Sequence, residues 1–139
     1  MGRAARLTGI LAVAGLLLTG CAAAAQGAGT ELQGEWRLTS ASDGQGEMDL
    51  KGSSVTLAIE QDRARGDGPC NIVELEITGG PGPVDVTVGA MTERACLDQD
   101  LMVIESRYIE TLSGVTTAEV DDGTLTLSGD AGTLTYTRL

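Results

Sequence analysis

The sequence predicts an α+β domain in which an antiparallel sheet packs against a single helix. Two observations carry this: run after run of two-residue alternation between apolar and polar side chains, and one interruption that has the spacing of a helix. In chain order, Val55, Leu57 and Ile59 alternate with Thr56, Ala58 and Glu60, and Val73, Leu75 and Ile77 alternate with Glu74, Glu76 and Thr78. Val84, Val86 and Val88 are separated by Asp85 and Thr87, and Leu125 and Leu127 sit among Thr124, Thr126 and Ser128. Near the C-terminus Leu134 and Tyr136 alternate with Thr133, Thr135 and Thr137. Successive side chains of a strand point to opposite faces, so each run has one wet face and one buried face, as an antiparallel sheet requires. The glycine-rich stretches Gly79-Gly80-Pro81-Gly82-Pro83, Asp121-Asp122-Gly123 and Gly129-Asp130-Ala131-Gly132 supply the reversals. The first of them lacks the Lys, Ser or Thr that a phosphate cradle needs.

The interruption runs from Leu97 to Leu112. Apolar residues fall at Leu97, Leu101, Ile104, Tyr108 and Leu112, at spacings of four, three, four and four, which is a helical stripe. Asp98 and Asp100 lie in the first turn, where carboxylates meet free N–H groups and the positive dipole end, and Gly114 is a stop signal. A helix is therefore expected near residues 97–113.

The N-terminus has a different character. Arg3 and Arg6 precede an apolar run from Ile10 to Leu18, and no acid appears before Glu31. Charged start, short apolar middle and small-residue end are the order of a secretory signal. A membrane span needs about 20 apolar residues, twice what stands here before Thr19, Gly20 and Cys21. Leu18-Thr19-Gly20-Cys21 resembles the bacterial lipobox at every position. That resemblance implies a signal peptide at residues 1–20, cleavage before Cys21, and attachment of a diacylglyceryl group (and a further fatty acid such as palmitate) to Cys21. Two or three acyl chains hold a protein durably on a membrane. Residues 21–30, rich in Ala and Gly, read as a flexible tether, and 31–139 as the size of one small domain. The expected location is the cell envelope, lipid-anchored on the extracytoplasmic side.

Without Arg3 and Arg6, seven basic side chains face twenty acidic ones, a net charge of −13 that repels nucleic acid. Asp98-Gln99-Asp100 is followed by Leu101 and Met102, and Asp121-Asp122-Gly123 lacks alternation, so neither forms a calcium loop. Histidine is absent, which removes Ser-His-Asp and Cys-His chemistry and the usual zinc ligand. No catalytic residue, metal site or cofactor is expected. Glu74 and Glu76 share a strand face but alternate into water.

Lipidation of Cys21 leaves Cys70 and Cys96, and two thiols in an oxidising compartment have one pairing. A Cys70–Cys96 disulfide closing a loop of roughly 25 residues is worth about 3 kcal/mol in the chain-entropy model. No Cys-x-x-Cys spacing points to redox catalysis. Trp36, Tyr108 and Tyr136 are the only aromatics. Trp36 beside Leu38 reads as a core anchor, Tyr108 as a core residue with its hydroxyl at the edge, and Asn71 as a turn residue bonding its own backbone.

Several sparse signals share an order. Gly34-Glu35-Trp36-Arg37-Leu38 opens it, Gly66-Asp67-Gly68-Pro69-Cys70-Asn71 follows, then Thr92-Glu93-Arg94-Ala95-Cys96, the helix with Glu105 and Leu112, and the closing pair Gly123-Thr124-Leu125-Thr126-Leu127 and Gly132-Thr133-Leu134-Thr135-Tyr136. Together they resemble the META domain, also called HslJ-like, over about residues 31–139. Pro69 before Cys70, and Ile72-Val73-Glu74-Leu75 after Asn71, depart from the family pattern. The resemblance implies a curved antiparallel sheet of about seven to eight strands, a partial barrel, packed on the helix. It also implies an association with envelope stress and drug tolerance and no shared catalytic residue. The expected function is non-enzymatic partner binding in support of envelope integrity by a monomer. The alternative is carriage of a small apolar ligand or lipid between sheet and helix.

Overall fold

The computed structural model describes residues 27–139, so the expected signal peptide and Cys21 lie outside the described residues. A 3-10 turn at Thr30–Leu32 leads into β1 (Gly34–Asp43), β2 (Gly46–Glu47), β3 (Thr56–Glu60), β4 (Arg63–Asp67), β5 (Ile72–Gly79) and β6 (Gly82–Met91). Helix α1 (Gln99–Ser113) follows, then β7 (Val115–Asp121), β8 (Thr124–Gly129) and β9 (Gly132–Arg138). All these strands pair antiparallel, in the order β2-β1-β3-β4-β5-β6-β7-β8-β9. β1 also pairs along β9, from Trp36 with Arg138 to Asp43 with Gly132. That pairing closes eight strands into a barrel, with the short β2 added beside the end of β1. The expected partial barrel is thus complete, and closure leaves fewer unpaired edges.

Three barrel strands carry weak alternation, each for a physical reason. β4 turns only Ala64 and Gly66 inward, residues too small to register as an apolar face. β1 and β7 contain register shifts, between Leu38 and Ser40 and between Val115 and Thr117, and an extra residue breaks the two-residue period.

Register sorts the connections to two ends. The β3–β4, β5–β6 and β7–β8 turns and the C-terminal Leu139 lie at one end, with Gly27 bridged to Thr78 and Ala28 to Gly79. Gly27 and Ala28 fall in the segment read as a tether, yet they are stitched to β5. Leu32 of the 3-10 turn is fully buried here, and its carbonyl accepts the Trp36 indole N–H at 2.9 Å. Trp36 is the core anchor expected.

The β1–β2 and β8–β9 turns, the 68–71 loop and the 92–98 segment gather at the other end. Helix α1 spans this end, touching the 68–71 loop, the β1–β2 turn and the β8–β9 turn. Glu105 meets the 68–71 loop, Arg107 meets Asp43 and Gly46, and Gly114 lies against the β8–β9 turn. A Cβ on Gly114 would stand 2.6 Å from that of Ala131, so only glycine permits this approach.

Ile104, Tyr108 and Leu112 form the buried stripe of α1, as their spacing predicts. Leu97 does not belong to it. The helix begins at Gln99 behind an Asp98 cap, whose carboxylate accepts the Asp100 N–H at 2.8 Å, and Leu97 is fully exposed. It precedes the cap, where helical periodicity no longer sets a side chain's direction.

Tyr108 also corrects its expectation: the hydroxyl is not at the edge but in the core, 3.0 Å from the Tyr136 hydroxyl. Burial pushes Tyr108 up to about 12, and burial beside Tyr108 raises Tyr136 well above the ordinary tyrosine range. These are the chain's two tyrosines. Tyrosinate absorbance at 295 nm should therefore stay nearly flat through about pH 11 and rise above it. Both folded values exceed the unfolded one, so the neutral pair stabilises the fold below about pH 10, and that stability is lost as pH climbs toward 12.

Arg107 grips Asp43 through two hydrogen bonds of 2.6 and 2.8 Å, with side chains only 13 and 10% exposed. Chiefly because it accepts the Arg107 hydrogen bonds, the Asp43 carboxyl falls from 3.8 to about 2. A depressed acid stabilises the folded state above its unfolded pKa and loses that contribution as pH drops toward the folded one. The gap in urea midpoint between wild type and Arg107→Gln should be full above about pH 4 and shrink toward pH 2.

Candidate functional site

Between β4 and β5 the chain turns at 68–71, where the Gly68 N–H bonds to the Asn71 carbonyl at 2.7 Å. The turn presents the N–H groups of Cys70 and Asn71 to one carboxylate oxygen, Glu105 Oε1, at 3.0 and 2.7 Å. The other oxygen, Oε2, accepts from Asn71 Nδ2 at 2.6 Å. Glu105 is only 6% exposed and Asn71 7%. Carboxylates lose much hydration on burial, and hydrogen bonds from N–H groups restore it. A Cβ on Gly68 would lie 3.0 Å from Glu105 Oε1, which explains glycine at that position.

The Asn71 side chain continues the network across the end of the barrel. Its Oδ1 accepts from Thr92 Oγ1 at 2.9 Å and from the Arg94 N–H at 2.6 Å, while Nδ2 also donates to the Arg94 carbonyl at 3.1 Å. Thr92 Oγ1 in turn accepts the Ile72 N–H at 3.0 Å. Asn71 thus bridges three segments and does not fold back on its own backbone. Beside this network Cys70 and Cys96 form a disulfide, with Cα atoms 5.5 Å apart.

Five residues from three separated motifs, Cys70, Asn71, Thr92, Cys96 and Glu105, therefore meet at one place. Chemically the arrangement is a clamp: both Glu105 oxygens are engaged, and among the described residues no buried side-chain nitrogen or oxygen lacks a partner. The motif Trp36 stands apart, near the other end, under the Arg138 guanidinium at 4.1 Å. Glu74 and Glu76 are exposed, Glu74 pairing with Arg65 at 2.9 Å. Two large hollows, of about 590 and 650 Å³, are open to solvent, one along β1, β3 and the β3–β4 turn beside Gln33 and Gln61, the other along β4–β6 beside Glu74 and Thr87. Neither includes a residue of α1 or of the clamp. Among the described residues no group of three His, Cys, Asp or Glu is placed to hold a metal.

Glu105 is the residue whose role the sequence conceals. Its signal is positional: it lies four residues after Leu101 and three before Tyr108, a carboxylate on an apolar stripe.

A closed antiparallel barrel, lidded by the helix between β6 and β7 and locked by an asparagine–carboxylate clamp beside a disulfide, is the architecture of a small α+β domain. The chain belongs to the META domain family, whose model matches residues 30–139. Two solved structures share the fold. One, described as the NMR structure of the protein from Burkholderia xenovorans, has a TM-score of 0.61 at 21% identity over 77% of this chain and 82% of that one. A second NMR structure has a TM-score of 0.56 at 18% identity over 76% of this chain and 89% of its own. No curated relative matches the chain.

Proposed function

We propose that this chain is a lipid-anchored extracytoplasmic lipoprotein whose META domain supports envelope integrity under stress by binding a partner protein, without catalysis. The observation that carries partner binding is where the exposed apolar side chains fall. Of five large exposed hydrophobics among the described residues, four lie between positions 91 and 103: Met91, Leu97, Met102 and Val103. Monomer surfaces scatter such residues singly, and a concentration marks an interaction surface. Glu93, Asp98 and Asp100 border them together with Arg94, and Lys51 pairs with Asp100 at 3.6 Å, so the complementary partner face is apolar with a rim of mixed charge. Gly27 enters at the opposite end of the barrel, and a chain anchored through Cys21 would present this patch away from the bilayer.

Engagement of both Glu105 oxygens and the absence of histidine support the non-catalytic reading. Side chains such as Tyr108 and Leu112 fill the space between sheet and helix, which gives the ligand-carrier alternative no support.

Site-specific photocrosslinking in intact cells tests the binding surface. A crosslinker in place of Leu97 or Met102 should give a defined adduct, and one in place of Asp122, in the β7–β8 turn at the opposite end, should not. Equal labelling at both ends, or none at 97 and 102, would contradict the proposal. Anchoring has its own test: Cys21→Ala should move the protein out of the membrane fraction.

A further inference from the structure

We infer that Glu105 is a positioning residue for the Cys70–Cys96 bridge, so that docking of α1 holds both thiol-bearing segments at bridging distance without help from the sulfur–sulfur bond. The carboxylate holds the Cys70 segment directly, through the N–H groups of Cys70 and Asn71. It holds the Cys96 segment through a relay: Glu105 Oε2 fixes the Asn71 amide, and that amide grips both the N–H and the carbonyl of Arg94, two residues before Cys96. No link in the relay uses a sulfur atom. The clamp therefore sets the 5.5 Å Cα separation, which lies in the range a disulfide needs, independently of the bond.

The cysteines are 26 residues apart, and Glu105 lies on a helix that must be packed for its carboxylate to reach the 68–71 loop, so the packed helix raises the effective concentration of the two thiols. Oxidation then proceeds by exchange. One thiolate attacks glutathione disulfide and releases a glutathione thiolate, and the second thiolate displaces the other glutathione from the mixed disulfide. Two electrons pass to the oxidant, two thiol protons are lost, and one sulfur–sulfur bond replaces another.

The test is the equilibrium between the reduced and bridged full chain and a glutathione buffer, with Cys21→Ser present so that two thiols titrate. Measured in native buffer and in concentrated urea, it yields the effective concentration of the thiol pair in each state. Glu105→Ala should lower the native value at least about tenfold and leave the urea value unchanged, since hydrogen bonds to a charged group are being removed. Arg107→Gln, which cuts a different α1 contact, should keep the native value within about twofold of wild type if the clamp acts locally. An unchanged native value for Glu105→Ala, or an equal fall for Arg107→Gln, would overturn the inference. Should Glu105→Ala fail to fold by circular dichroism, Asn71→Ala decides, because it cuts the relay to Arg94 and spares the backbone contacts of Glu105. A fall in its native value supports the inference, and no change overturns it.

Discussion

Replacing Glu105 by alanine should lower the unfolding free energy by about 3–4 kcal/mol, because it removes a charged acceptor from two backbone N–H groups and one side-chain amide N–H at once. The N–H groups of Cys70 and Asn71 and the Asn71 amide all donate to this one side chain. Solvent does not readily replace it, since Glu105 and Asn71 are both buried. Glutamine is a partial substitute. Its oxygen can accept the two backbone N–H groups, but its amide nitrogen then faces the Asn71 Nδ2 donor. Turning Asn71 over would relieve that contact and break the bonds to Thr92 and Arg94. Glu105→Gln should therefore cost less than alanine, about 1–2 kcal/mol. Urea denaturation followed by circular dichroism measures both. A loss under about 1 kcal/mol for alanine would mean that the 68–71 loop stands without the carboxylate.

Trp36→Ala should be comparably damaging, at about 4 kcal/mol, for a different reason. Trp36 is fully buried and the largest side chain of the core. Removing it opens a cavity in the core beside Leu57, its partner on β3, orphans the Leu32 carbonyl, and takes away the surface on which Arg138 stacks. Arg138 also holds the Gln33 and Glu31 carbonyls, so the loss reaches the 3-10 turn that plugs this end. Trp36→Phe keeps most of the apolar volume and should cost roughly half as much. Because the substitution removes the chain's one tryptophan, circular dichroism and not fluorescence is the readout.

Much of the architecture is legible in the residues. Strands whose inward positions hold Val, Leu or Ile declare themselves, as β3, β5, β6, β8 and β9 do. The stripe of Ile104, Tyr108 and Leu112 announces α1. What stays hidden is what alternation cannot encode. β4 faces inward with Ala64 and Gly66, the bulges in β1 and β7 erase the period, and closure of β1 on β9 joins segments about a hundred residues apart. The pairing of Cys70 with Cys96 follows from counting thiols, and the structure contains it.

The clamp is harder to read because its meaning is collective. Asn71 alone has the chemistry of a turn residue, and Glu105 alone looks like a solvated helix acid. Only the third dimension shows that Asn71 spends its amide on Thr92, Arg94 and Glu105. The central three of the family motifs, which look like scattered markers in the sequence, are in the fold partners in one contact set. Their shared order along the chain reflects a structural requirement at the α1 end of the barrel.

A double-mutant cycle across Asn71 and Glu105 tests that conclusion most directly. Asn71→Ala, Glu105→Ala and the double variant would each be unfolded in urea with the disulfide intact. If the two side chains act as one clamp, the losses should fall short of additivity by about 1.5–3 kcal/mol, as expected for contacting residues in a shared network. Losses that add to within about 0.5 kcal/mol would contradict it and return both residues to independent local roles.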